Sequence, residues 1–147
     1  MKDYYGEELP DSYYDAQKQA KKVPYTINKT TLLTADVTPG VYFISSKTGF
    51  FDFNRTVTSD TCEMVVEIIA KKVSDPSSYA DSDTRSLKLK KDEFNNAASK
   101  NFTVELNTLF RITEDATITY NVFFNAASSD SSASYTANGR IRFKKLY

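Results

Sequence analysis

The sequence predicts an all-β fold, an antiparallel β-sandwich of the jelly-roll type with an N-terminal arm. Three observations support this prediction. Apolar and polar residues alternate over most of the chain after Val23, which is the period of a strand with one buried face. The apolar runs have the length of strands and are separated by turn signals. Ten Tyr, ten Phe and frequent Thr residues favour strands, and Trp is absent.

The first 22 residues differ from the rest and form the predicted arm. They show no sustained hydrophobic period, and their acidic residues precede most of their lysines. Because they offer few aliphatic side chains to offset the entropy of ordering, we expect them to order on a partner, with residues 16–22 forming about two helical turns. The alternative is a chain end without a binding role. The predicted partner-binding residues of the arm are Tyr4, Tyr5, Tyr13, Tyr14, Lys18, Lys21 and Lys22.

Residues 23–147 form the predicted sandwich domain. Its first strands are predicted at residues 31–34 and 40–45, joined by a turn at the Pro-Gly pair, and at residues 50–53, entered through a turn at Gly49. The clearest pattern covers residues 116–124, where a polar face alternates with an apolar one. The residues of this apolar face, predicted to lie in the core, are Ala116, Ile118, Tyr120, Val122 and Phe124.

Alternation also predicts strands around residues 62–68, 87–89, 102–112 and 133–143. The Asn-Gly pair at 138 and 139 marks either a hairpin turn or a bulge within one strand. The total of about eight strands is typical of a two-sheet sandwich or jelly roll. Residues 91–98 are predicted to form a short helix.

Two polar stretches, residues 74–83 and 126–132, are predicted to be long loops. The first contains Asp75, Asp81 and Asp83, and carboxylates in loops are ligands for hard cations. Their spacing does not match the twelve-residue calcium loop, so we expect a solvated loop and no metal.

The composition argues against catalysis. The chain has no His, which removes the commonest general acid or base and the usual nucleophile-activating pairs. Glu63 and Glu67 share a strand face, as a carboxylate pair for glycoside hydrolysis would, but charged residues opposite an apolar face are ordinary in an amphipathic strand. Cys62, the single cysteine, is predicted to be buried and inert. We therefore expect no enzyme and no cofactor.

Charge and hydropathy also limit the partners. Lys and Arg together number 19, as do Asp and Glu. This balance provides no global basic field for nucleic acid or for an anionic membrane surface. The sequence contains neither a signal peptide nor an apolar stretch of membrane-spanning length. We expect synthesis in a cytoplasm and no membrane insertion.

Three features resemble the β-sandwich or jelly-roll accessory domains of bacteriophage virions: the strands rich in Thr and Asn, residues 116–124 followed by a Ser-rich loop, and the closing residues 139–147. This family includes head fibres, capsid decoration proteins and fibre tips, some built like the trimeric heads of tumour necrosis factor and C1q. The resemblance covers residues 23–147 and includes no diagnostic motif. It implies a homotrimer in the virion, made in the host cytoplasm, whose short arm docks on other virion proteins.

Two function classes follow. The first is a virion structural protein, a head fibre or capsid decoration protein; the second is a carbohydrate- or cell-surface-binding module such as a receptor-binding fibre tip, with exposed Tyr stacked on a host glycan. Lack of Trp disfavours the second. A third reading is one β-domain of a larger machine. Twenty Tyr and Phe exceed what the core faces use, and surplus aromatics mark interfaces. The predicted oligomer interface contains Phe51, Phe53, Phe123 and Tyr147, and Tyr42 is a further surplus aromatic.

Overall fold

The computed structural model describes residues 13–24, 26–125 and 133–147. In this part of the chain the alternating segments form eight strands and one short helix. Their bounds are β1 Tyr13–Pro24, β2 Thr26–Val37, β3 Gly40–Asn54, β4 Thr61–Lys72, β5 Tyr79–Lys90, α1 Lys91–Asn95, β6 Phe102–Ile112, β7 Ala116–Asn125 and β8 Ser134–Lys145. No helix in these ranges is long and apolar enough to cross a membrane.

The strands form two four-stranded sheets. The first sheet has the order β1-β8-β3-β6 and the second has the order β2-β7-β4-β5. All neighbouring pairs are antiparallel. Because strands that follow each other in sequence mostly lie in opposite sheets, the chain winds through both layers in the jelly-roll manner. The fold predicted from the alternation is therefore confirmed.

The core lies between the two sheets and contains the inward side chains of every strand. The predicted core face of β7 is confirmed, since all five of its residues are buried. Aromatic rings occupy one part of this core: the Phe124 and Tyr135 rings lie 5.1 Å apart, and α1 contributes Phe94, whose ring centroid is 5.3 Å from that of Phe124. These distances are typical of favourable aromatic pairs.

Gly139 does not form a hairpin turn, because β8 runs continuously from Ser134 to Lys145. A Cβ atom at Gly139 would lie 2.5 Å from the Tyr120 hydroxyl oxygen and 2.6 Å from Leu32 Cδ1. The space above this glycine is thus filled by Tyr120, whose hydroxyl forms a short hydrogen bond with Thr48. Burial raises the pKa of Tyr120 to about 12. The pairing of β8 continues through Gly139 without a register shift, so this residue does not mark a bulge. A glycine is needed here because the Tyr120 side chain approaches the backbone closely.

Two further boundaries differ from the sequence expectation. Gly49 lies inside β3, where it is paired with both Thr103 and Asn138, so residues 40–54 form one long strand. The acidic stretch 74–83 is only partly a loop, because β5 already begins at Tyr79. In both places pairing with neighbouring strands outweighs the local turn signal. The second predicted loop, residues 126–132, lies outside the described residues.

The predicted boundary of the arm at residue 22 also needs correction. Residues 13–24 form β1, an edge strand that pairs with β8 along most of its length. The register shifts between Ala20 and Val23, which breaks the two-residue period that sequence reading relies on. An edge strand tolerates a polar composition because one side has no neighbouring strand. Within the described residues, the predicted arm from Tyr13 onward is part of the sandwich.

Candidate interaction surface

The outer face of the first sheet carries exposed charged and apolar side chains. Its side chains come from alternate positions of β1, β8, β3 and β6. On β8, Ile141 and Phe143 point into the core, and the intervening Arg140, Arg142 and Lys144 are exposed. The strict alternation of apolar and basic residues therefore sets a row of cations on this face.

Large apolar side chains are exposed at one end of the same face. Phe43 on β3 is 45% exposed and Leu109 on β6 is 58% exposed, and the two residues are register partners. The C-terminal residues Leu146 and Tyr147, which are 47% and 79% exposed, are held at this end by backbone hydrogen bonds to Val41. We call Phe43, Leu109, Leu146 and Tyr147 the apolar end. It includes four of the six large hydrophobic residues that are exposed in the described part of the chain.

Cations flank the apolar end. Lys144 is the register partner of Phe43 on β8, and Arg142 lies two residues before it. A shallow depression of about 210 Å³ lies between them, lined by Phe43, Ser45, Arg142, Phe143 and Lys144. In the described ranges neither Arg142 nor Lys144 has an ion-pair partner, whereas Arg140 forms a two-pronged pair with Asp15 at 3.0 and 2.7 Å.

A second depression lies farther along the same face, over Gly49. Its volume is about 270 Å³, and an added Cβ at Gly49 would meet only ordinary contacts at 3.8 Å or more. The amide of Gln17 donates a hydrogen bond of 3.3 Å to Asn138 at its rim. The depression is lined by Gln17, Lys47, Gly49, Thr103, Asn138 and Arg140. Amides, a hydroxyl and cations around a bare backbone floor give this depression both donors and acceptors.

The structure does not bring the predicted arm residues into one site. Tyr14 is buried and its ring stacks on Phe143 at 4.7 Å, so it is a core residue and not a free partner-binding group. Lys18 is exposed on the edge strand β1. Tyr4 and Tyr5 lie outside the described residues, as do the side chains of Tyr13, Lys21 and Lys22.

The predicted interface residues are also dispersed. Phe53 is buried against Phe94 and Phe102, with ring centroids 5.4 and 5.6 Å away, and this corrects its assignment to an interface. Tyr42 is buried as well. Phe51 and Phe123 are half-buried on strands of opposite sheets. Of this set, Tyr147 is the residue that belongs to the apolar end.

Sequence reasoning missed Phe43 and Leu109, the centre of the exposed apolar surface. A signal for both residues is present in the sequence. Each is an apolar residue at a position of the alternation where a polar residue is expected, because its neighbour, Ile44 or Phe110, already faces inward. Since side chains alternate between the two faces of a strand, two consecutive apolar residues require that one of them faces outward.

The other residues singled out in the sequence are buried or form hydrogen bonds and ion pairs within the domain. Glu67 forms an ion pair of 2.8 Å with Lys29 and accepts a hydrogen bond from Asn121. Cys62 is buried, as predicted. Asp75 accepts hydrogen bonds from the Ser77 backbone and hydroxyl, and these lower the pKa of its carboxyl group. Within ranges 13–24, 26–125 and 133–147, no three such acidic, Cys or His side chains are grouped to hold a metal.

Solved structures with a similar fold include chains of infectious bursal disease virus. One, from the infectious bursal disease virus Gx strain, is 12% identical over 90% of this chain, with a TM-score of 0.64. Another, the VP2 subviral particle of infectious bursal disease virus, is 14% identical over 90% of this chain, with a TM-score of 0.58. The chain spans about a third of each viral chain, 32% in both comparisons. At this identity the likeness establishes the fold.

The globular domain of zebrafish complement 1qA aligns with 92% of this chain and 98% of its own length, at 12% identity and a TM-score of 0.42. No family model matches the sequence. No curated protein matches it either. The fold places this chain among jelly-roll β-sandwich modules, the class shared by the matched part of these viral chains.

Proposed function

We propose that this chain is a non-enzymatic structural protein of a virus particle, a head fibre or capsid decoration protein of a bacteriophage. In this proposal the N-terminal region attaches the protein to other virion proteins and the jelly-roll domain is displayed as a homotrimer. The observation that carries the proposal is the apolar end beside Arg142 and Lys144 on the outer face of the first sheet. The fold shared with viral capsid chains supports it.

The physical argument concerns what such a surface requires. Aromatic residues and Arg are enriched in protein interfaces, and contiguous exposed apolar residues mark interaction sites. Covering Phe43, Leu109, Leu146 and Tyr147 removes apolar area from water, which stabilises association by about 25 cal/mol for each Å². Soluble homo-oligomers usually close into rings or other point groups, and a threefold ring satisfies this rule.

The test combines mass and attachment. Light scattering should give a trimer mass for the purified chain, and the protein should co-sediment with particles assembled without it. Deleting residues 1–12, which stops before β1, should abolish co-sedimentation and leave the circular dichroism spectrum of a β-protein. A deletion through residue 22 would instead remove the paired edge strand. Full attachment of the shorter deletion would show that the anchor lies on the sandwich.

A second candidate function is recognition of a host-surface glycan, and the depression over Gly49 favours it. Its Gln17, Asn138 and Thr103 side chains provide the hydrogen-bonding groups that sugar hydroxyls need. A glycan-array screen tests this function directly. Gly49→Val should fill the depression and abolish any signal, while Asn107→Val, on the same face, should not. An empty array, or an equal signal from both variants, contradicts this function.

A further inference from the structure

The exposed face identifies the chemistry of its partner. Arg142 and Lys144 carry positive charge with no ion-pair partner in the described residues, and Phe43 and Leu109 expose apolar area beside them. Two acids lie on the described part of the same face: Asp15 is the register partner of Arg142 but forms its ion pair with Arg140, and Glu105 is on β6 opposite Lys47. We call Phe43, Leu109, Arg142 and Lys144 the docking face. A matching partner has carboxylates interspersed with aromatic or aliphatic side chains.

The first twelve residues of this chain have that composition. They contain four acids, Asp3, Glu7, Glu8 and Asp11, against a single Lys2. They also contain the Tyr4-Tyr5 pair and Leu9. Tyrosine combines a large apolar ring with a polar tip, which suits binding to a mixed apolar and basic surface. Charge and composition are therefore complementary to the docking face.

The register connects this segment to the docking face. Tyr13, where β1 begins, is the partner of Lys144, which is in turn the partner of Phe43, and Phe43 is paired with Leu109. The first twelve residues therefore join the domain at the end of the sheet that carries the docking face. From Tyr13 the strand runs along its own sheet toward the opposite end.

The direction of β1 favours a second copy of the chain as the acceptor. An extended continuation of β1 before Tyr13 leads off the end of its own sheet. Leu9 precedes Pro10, and a residue before proline is biased to extended conformations. The eight residues before Tyr13, if extended, would span about 26 Å, which is enough to reach a neighbouring domain. For the segment to bind the docking face of the same copy, the chain would have to reverse its direction.

We propose that residues 1–12 of one copy bind the docking face of a neighbouring copy. This inference rests on the proposed function in one respect, which is that the protein assembles with copies of itself. Because the segment and the face are different surfaces, the contact is heterologous and closes into a ring when its rotation permits. Acids of the segment meet Arg142 and Lys144, and its tyrosines cover Phe43 and Leu109.

The experiment uses charge reversal on each side of the contact in the full chain. The face variant is Arg142→Glu with Lys144→Glu, the segment variant is Glu7→Lys with Glu8→Lys, and the control is Lys88→Glu with Lys90→Glu on the exposed positions of β5. Circular dichroism checks that each variant is folded. Sedimentation velocity should show that the face and segment variants each weaken self-association at least about tenfold, and that the control does not.

Mixing distinguishes the source of the segment. The face variant keeps a native segment and the segment variant keeps a native face, so mixing restores two complementary contacts: native segment on native face, and reversed segment on reversed face. The mixture should therefore form an assembly that contains both variants in equal number. A chain with all four reversals should again self-associate. If neither variant weakens the oligomer, or the control weakens it equally, this inference is overturned and the assembly function stands. Two monomeric variants that do not pair on mixing also overturn it. A monomeric wild-type chain contradicts the assembly function as well.

Discussion

The outer faces of the two sheets differ in how far their side chains are paired or covered within the domain. On the second sheet, Lys29 forms an ion pair with Glu67, Asn121 donates a hydrogen bond of 3.1 Å to Glu67, and the Thr31 hydroxyl donates one of 2.7 Å to Asn121. Asn121, at the centre of this network, is buried, with an exposed fraction of 3%. Even Ile69, which also faces outward, is 1% exposed. Across β2, β7 and β4, the second sheet pairs or covers these outer side chains.

On the outer face of the first sheet, only some of the side chains are paired within the domain. Arg140 has Asp15 as its partner, whereas Phe43 and Leu109 remain exposed beside Arg142 and Lys144. Polar groups that pair within one domain stabilise that domain, and exposed apolar groups beside free charges stabilise a complex instead. This difference is the reason why the proposed interaction surface is placed on the first sheet.

The largest effect is expected in the core between the two faces. Ile118→Ala removes a buried side chain from β7 and should reduce the free energy of unfolding by about 2–5 kcal/mol. The matched change on the outer face of the first sheet, Leu109→Ala, should cost less than about 0.5 kcal/mol, because Leu109 is largely exposed. Urea unfolding of both variants measures the contrast. Equal losses would mean that Leu109 is packed within its own domain.

An alkaline loss of stability comes next. Burial raises the pKa of Tyr120 to about 12 and also raises that of Tyr135, so the folded state holds protons that the unfolded state releases from about pH 10. The stabilisation is complete below pH 10 and is lost as the pH rises toward 12, by an amount on the order of 2–3 kcal/mol for Tyr120. Urea unfolding from pH 8 to 11.5 measures this decline. Tyr120→Phe should make the decline shallower by removing the contribution of Tyr120 and leaving that of Tyr135, and an unchanged slope would contradict the assignment.

A smaller loss of stability is expected from removing an amide side chain, and it should differ between the two outer faces. Asn121→Ala leaves Thr31 and Glu67 without a shared partner in a buried network and should cost about 1–3 kcal/mol. Asn107→Ala, at an exposed outward position of β6, should change stability by less than about 0.5 kcal/mol. Thermal unfolding of the two variants tests the comparison. If Asn107→Ala is the costlier change, the first sheet is not the less self-sufficient side.

The sequence predicts this fold well because alternation is a local property. The inward faces of β6, β7 and β8 could be read from the order of residues alone, since one buried face dictates the period. The arrangement of strands in two sheets could not. Gly139, for example, has a local turn signal beside Asn138, and its close approach to Tyr120 depends on a strand of the opposite sheet.

The surface was harder to predict than the core for a physical reason. A residue's tendency to bind a partner depends on what remains uncovered after folding, and Tyr14 and Phe53 are covered by long-range contacts. The exposed pair Phe43 and Leu109 becomes a pair only through the β3–β6 register. Sequence parity requires only that one residue of each consecutive apolar pair faces outward, and the sheet shows which one it is and places Phe43 and Leu109 side by side.

The smallest expected change in stability carries the most information about the first sheet. Replacing both Phe43 and Leu109 by Ser should lower the unfolding free energy of the monomer by only about 1 kcal/mol, because Leu109 is 58% exposed and Phe43 is about half exposed before the change. Self-association should weaken strongly, since these side chains contribute the apolar area that a partner would cover. Light scattering over a concentration series measures this effect, and Val73→Ser, which removes an exposed apolar side chain away from the docking face, is the matched control. A double variant that associates as tightly as the wild type would show that Phe43 and Leu109 are solitary surface residues, and the contrast between the two sheets would then be one of composition without consequence for binding.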